Sequence, residues 1–83
     1  MKMVKVQVVY TQACHFCPPV KELFRSLKKK YDFDYEEIDA TTEKGQELVQ
    51  KHMIMSVPTI LINGTVAFVG VPPKEKAIEA IKG

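Results

Sequence analysis

Cys14-His15-Phe16-Cys17-Pro18-Pro19-Val20-Lys21 stands between a run of β-branched residues and an amphipathic segment, and its setting decides the fold. Upstream, Lys2 to Tyr10 contains Val4, Val6, Val8, Val9 and Tyr10. Alternation that passes into a continuous apolar run suits a buried strand. Thr11 to His15 reads as a short loop. Downstream, from about Pro18 to Lys30, Val20, Leu23, Phe24 and Leu27 recur at helical spacing, with Tyr31 next in register. Lys21, Glu22, Arg25, Lys28, Lys29 and Lys30 fall on the other faces. Cations in the last turn suit the negative end of the helix dipole. The run Lys28-Lys29-Lys30 reads as a solvated helix end.

Farther out, Asp34 to Asp39 reads as a second strand, with Phe33, Tyr35 and Ile38 as packing candidates. Thr41 or Thr42 offers an N-cap, and Glu43 to Lys51 a short helix with Leu48 and Val49 inward. Met53 and Met55 are expected in the core, in preference to a flexible contact surface. Thr59-Ile60-Leu61-Ile62 is strand-like, Asn63-Gly64 is a hairpin signal, and Val66 to Val69 completes the hairpin. Pro73 sits where a helix start tolerates proline, and Ala77, Ile78 and Ile81 form the last inner face. The order β-α-β-α-β-β-α predicts an α/β fold, a four-stranded mixed sheet flanked by three helices. Its first βαβ unit is expected to be parallel and right-handed, and its last hairpin antiparallel.

Composition limits what such a chain does. Its 83 residues predict one domain, 1–83, with a modest core. Hydrophobic residues at 46% and charged residues at 27% are ordinary for a globular protein and argue against disorder, collagen or a coiled coil. A formal charge of +2 does not point to nucleic acid or an anionic membrane as the main partner. Val8-Val9-Tyr10, the longest apolar run near the start, is far short of a bilayer span or signal segment, so a cytoplasmic protein is expected. There are two cysteines, Cys14 and Cys17. A secreted, disulfide-stapled mini-protein would carry more, spread along the chain; a close pair in a reducing compartment is catalytic or metal-binding.

The redox reading rests on thiolate chemistry. Thiolate is the nucleophile in thiol–disulfide exchange, and a helix N-terminus presents unpaired N–H groups that stabilise it. Pro18 and Pro19 have no N–H, which leaves Phe16 and Cys17 as donors to Cys14. Cys14 is therefore expected to attack, as the more exposed thiol of lower pKa, and Cys17 to resolve the mixed disulfide. His15 either adds positive charge that favours the thiolate or is a solvated loop residue. Lys21, one turn beyond Cys17, either reaches the thiolate or an anionic substrate or, the preferred reading, is a plain surface lysine. Zinc and Cu(I) sites use the same Cys spacing. A closed zinc site needs four ligands, however, and the chain offers Cys14, Cys17 and at most His15 or His52. His52 reads as a surface residue, and no metal or cofactor is expected.

With Met55-Ser56-Val57-Pro58-Thr59 before the third strand and Phe68-Val69-Gly70 after the hairpin, the whole chain resembles the thioredoxin superfamily. It most resembles the small archaeal-type glutaredoxin-like and thioredoxin-like proteins. The resemblance implies a thioredoxin-like fold, protein thiol–disulfide oxidoreductase activity and a cis Val57–Pro58 peptide facing the CxxC. Val57 would then offer its backbone N–H and C=O to an extended substrate as an added strand would. Gly70 and Val71 belong to the same substrate-facing region, and Tyr10, Phe16 and Val71 would form an apolar rim.

Two departures from the family pattern shape the expected partners. The chain has no Trp, Ala13 precedes Cys14, and the buried Asp of thioredoxins is missing from the strand before the motif. Water or a more distant group must then take the proton of Cys17. Val71-Pro72-Pro73 stands where glutaredoxins carry a Gly-Gly-x-Asp element for glutathione. Weak or absent glutathione use is therefore expected, with disulfide-containing proteins as substrates and an NADPH-dependent thioredoxin-reductase-type flavoenzyme as reductant. A monomer is expected. The competing readings are an electron donor dedicated to a ribonucleotide reductase and a Cu(I) or zinc carrier acting through Cys14 and Cys17.

Overall fold

The computed structural model describes residues 3–13 and 17–82, and the chain runs through seven elements. These are β1 (Lys5–Tyr10), α1 (Cys17–Lys28), β2 (Asp34–Asp39), α2 (Glu43–His52), β3 (Thr59–Ile62), β4 (Thr65–Val69) and α3 (Lys74–Lys82). The strands form one mixed sheet in the order β2-β1-β3-β4. β1 pairs parallel with β2 and antiparallel with β3, and β3 pairs antiparallel with β4.

β1 is central, and both of its faces are covered. Val6 and Val8 join Val20, Phe24, Leu27, Phe33, Ile60, Ala77 and Ile81 in a core beneath α1 and α3. Val9 faces the opposite way and packs with Leu61 and Ala40, under Leu48 and Val49 of α2 and the following Ile54 and Val57. That double coverage is why the sequence of β1 turns from alternating to continuously apolar. Buried Gln7, on the α2 side, donates to Glu36 (Nε2–Oε1 3.1 Å), which also pairs with Lys44.

Local chemistry sets the element ends. Pro18 and Pro19 occupy the first turn of α1, where their missing N–H groups cost no helical bond. Thr42 caps α2, its hydroxyl accepting from the Gly45 N–H at 3.1 Å. The Pro73 carbonyl accepts from the Ala77 N–H at 3.0 Å and so closes the first turn of α3. Asn63 and Gly64 both have positive φ, 52° and 82°, as the tight turn joining β3 to β4 requires.

Two expectations need correction. Met53 and Met55 do not enter the core; they are 79% and 94% exposed. Met53 ends α2 in the left-handed conformation (φ 52°, ψ 47°), which turns the chain away from the sheet before Ile54 packs back onto it. α1 also begins one residue earlier than its periodicity implies, taking Cys17 into the helix. Among the described residues no helix is long and apolar enough to cross a membrane.

Candidate functional site

The site forms where β1, α1 and the segment before β3 meet. Cys17 opens α1, is 1% exposed, and is disulfide-bonded. Cys14, His15 and Phe16 lie outside the described residues, so the expectations for them carry no geometry here. Burial of Cys17 follows from the stripe it begins, since Cys17, Val20, Phe24 and Leu27 all point inward.

Val57–Pro58 is a cis peptide. The register Val9↔Thr59 brings Pro58 beside Tyr10, the residue from which the chain leaves β1 toward the cysteine motif. Pro58 is buried and fixed from both sides. Its carbonyl accepts from the Gly70 N–H at 2.8 Å, and the Thr59 hydroxyl donates to the Ser56 carbonyl at 2.7 Å. Gly70 makes that contact at φ 88°, a conformation that favours glycine, and Val71 beyond it is 47% exposed. Half-buried Val57 differs from its neighbours: among the described residues neither its N–H nor its C=O enters a hydrogen bond. A cleft of about 280 Å³, lined by Thr11, Thr41, Gln46, Ile54 and Val57 among others, runs beside it.

Lys21 makes a contact that neither reading named, and Cys14, which one of them invoked, lies outside the described residues. Its ammonium sits over the Tyr10 ring, 3.3 Å from the centroid, in a cation–π contact. The arrangement belongs to a charged array that sequence reasoning missed. Tyr35, Glu37 and Asp39 alternate along β2 toward α1, which carries Lys21 and Arg25 one turn apart. Arg25 donates to Glu37 through two nitrogens (2.8 and 2.6 Å), and the Tyr35 hydroxyl donates to Glu37 at 2.7 Å. Asp39 accepts from the Thr41 N–H and hydroxyl (2.8 and 2.6 Å) and from Gln12 (3.2 Å). The available signal was cations four apart on the helix opposite acids two apart on the strand.

Titration follows from this array. Burial by itself would raise the Glu37 carboxyl, but hydrogen bonds from Arg25 and Tyr35 and the charges of Arg25 and Lys21 hold it below the usual range. Hydrogen bonds from Thr41 and Gln12, then the charge of Lys21, depress Asp39. Burial first, then its bond to Glu37, pushes the Tyr35 phenol well upward.

Comparison with known proteins agrees on the family. A family model described as a thioredoxin domain matches residues 4–82. The chain is 36% identical over 81 residues to a probable thioredoxin of Methanothermobacter marburgensis, covering 95% of this chain and 93% of the relative. It is 35% identical over 86 residues to a thioredoxin of Methanocaldococcus jannaschii, covering 99% and 96%. Among solved structures, a protein disulfide oxidoreductase from Aeropyrum pernix superposes with a TM-score of 0.79 at 29% identity. The match covers 96% of this chain and 36% of that one.

Proposed function

The chain belongs to the thioredoxin family and is a thiol–disulfide oxidoreductase, and from that premise we propose that it reduces protein disulfides through Cys14 and Cys17. The Cys14 thiolate attacks one sulfur of a client cystine. That S–S bond breaks, the other client sulfur leaves as thiolate, and a mixed disulfide forms. Cys17 then loses its proton and attacks the Cys14 sulfur. The mixed disulfide breaks, the second client thiolate leaves, and the 14–17 disulfide holds the two electrons' worth of oxidation. A thioredoxin-reductase-type flavoenzyme returns the two electrons, with little or no role for glutathione. A reducing cytoplasm suits this cycle.

One observation carries the reading: Cys17 is buried, disulfide-bonded and opens α1, while Val57, before β3, makes no backbone hydrogen bond among the described residues. An attacking thiol three residues upstream in the sequence would draw on the positive end of the α1 dipole. An extended client would pair with Val57 while its sulfur is attacked, with Phe16, Gly70 and Val71 along its path. His15 is assigned the remaining electrostatic support of the thiolate. The Lys21 ammonium lies over the Tyr10 ring, and its charge supports the Glu37 and Asp39 carboxylates. Glu37 and Asp39 are poor proton acceptors for a thiol because their carboxyls are held low. Water or a more distant group takes the Cys17 proton.

Reduction of insulin disulfides with dithiothreitol tests the assignment. Wild type should accelerate it, Cys14→Ser should abolish the acceleration, and Cys17→Ser should accumulate a mixed disulfide visible by mass. Activity that survives Cys14→Ser would remove the nucleophile assignment.

A further inference from the structure

α1 and α3 share one face of the sheet, whereas α2 alone serves the other and lies over β1 and β3. The part of that second face contributed by β4 stays open. An irregularity between Ile60 and Leu61 lets Val66 pair with Leu61 and Val69 with Thr59, so these valines, three residues apart, emerge on the same side. They are 37% and 65% exposed. Of the six large hydrophobic side chains exposed among the described residues, four, Met53, Met55, Val66 and Val69, line one groove of about 290 Å³. Clustered exposed apolar surface marks an interaction site more often than scattered surface does. Met53 contributes to it from a left-handed backbone conformation in which glycine would be less strained.

We propose that this groove is a second subsite for the client polypeptide, taking an aliphatic or aromatic side chain that flanks the reacting cystine, with Met55 and Val69 as specificity-determining contacts. The inference rests on the function proposed above. Ser56 and Thr59 line the groove and also brace the turn at Pro58, so the groove opens beside the Val57 backbone. Among the described residues its lining holds no carboxylate, lysine or arginine, and His52 is the one titratable group there. A charged client side chain would lose hydration there without a partner, while an apolar one gains from burial. Unbranched thioethers adapt to differently shaped side chains. The volume is at the small end for ligand pockets, which suits one or two side chains rather than a folded element. A second copy of the chain fits less well, because the irregular β3–β4 pairing disturbs the ladder an edge-to-edge partner would extend.

Second-order rates of the pre-reduced protein in single turnover test the subsite. The substrates are two disulfide-cyclised peptides, identical except for Leu or Asp beside the first cysteine, and the small disulfide 5,5′-dithiobis(2-nitrobenzoic acid). Wild type should favour the Leu peptide roughly tenfold, and a Met55→Ser/Val69→Ser variant less than about threefold, with the small disulfide unaffected. A peptide preference unchanged in the variant, or none in wild type while the small disulfide reacts, overturns the subsite. So does a wild-type dimer in sedimentation that the variant dissolves, since the groove would then be a self-association face. A wild type inert toward all three disulfides overturns the proposed function itself, and the subsite with it.

Discussion

Replacing Gly45 with alanine sets helix propensity against packing, and the structure decides the sign. Glycine inside a helix ordinarily costs about 1 kcal/mol relative to alanine, so propensity favours Gly45→Ala. Gly45 is buried in the first turn of α2, however, against the chain leaving β2. An added Cβ would fall well inside contact distance of the Asp39 carbonyl oxygen, 2.7 Å from the Ala40 Cα and 2.8 Å from the Asp39 carbonyl carbon. These are backbone atoms, and that carbonyl is tied down by the Thr42 N–H (3.1 Å) and hydroxyl (2.7 Å). Relief requires α2 to lift, which loosens Leu48 and Val49 over Val9 and Leu61. Overpacking costs about 3 kcal/mol at the upper end of its usual range, and offsetting the propensity gain leaves a net loss of about 2 kcal/mol. In a domain this small that is a fall in Tm of roughly 8–16 °C. Urea titration followed by far-UV circular dichroism, with both proteins oxidised, measures it. Gln50→Ala, on the exposed side of the same helix, should gain a few tenths of a kcal/mol. A Gly45→Ala protein as stable as wild type would refute the close-packed β2–α2 junction.

Met53→Gly relieves a left-handed non-glycine residue and should add about 1 kcal/mol in thermal melts. Thr42→Ala removes the hydroxyl that caps α2 and should cost about 1 kcal/mol, with Thr42→Ser restoring most of it. Glu36, Glu37 and Asp39 all titrate below their ordinary values in the folded chain. The unfolded chain therefore binds protons first as pH falls. Their contribution is fully present above the ordinary carboxylate range and is lost as pH drops through the lowered folded values. The urea midpoint should hold from pH 7 to about pH 5 and decline below about pH 4. Glu37→Gln should lower stability at pH 7 by about 1 kcal/mol and make the decline shallower. Equal acid sensitivity in that variant would contradict the Arg25–Glu37–Tyr35 arrangement.

The elements were legible where one local rule acted alone. Asp34–Asp39 and Thr59–Ile62 match their sequence assignments, and the Asn63-Gly64 turn has the positive φ values that its residue types favour. Met53 and Met55 were not legible, because a methionine serves a core or a surface equally well and only the open half of the α2 face distinguishes the two. The Lys21 contact was not legible either, because Tyr10 lies in another element, eleven positions away, and nothing local brings its ring beneath an ammonium. The position of the cysteine pair between strand and helix was plain in the chain. The cis Val57–Pro58 peptide was implied by family resemblance alone, and the place of Pro58 beside Tyr10 depends on β1 and β3 being neighbours.

By itself the sequence determined the order of elements, the hairpin and the place of the CxxC, because alternation, helical spacing and turn chemistry act over a few residues. Tertiary structure decided which faces were covered. One sheet with two helices on one side and one on the other leaves β4 open, and that imbalance turns two methionines and two valines outward. Burial depends on what the remote chain places overhead, which no short stretch of residues specifies.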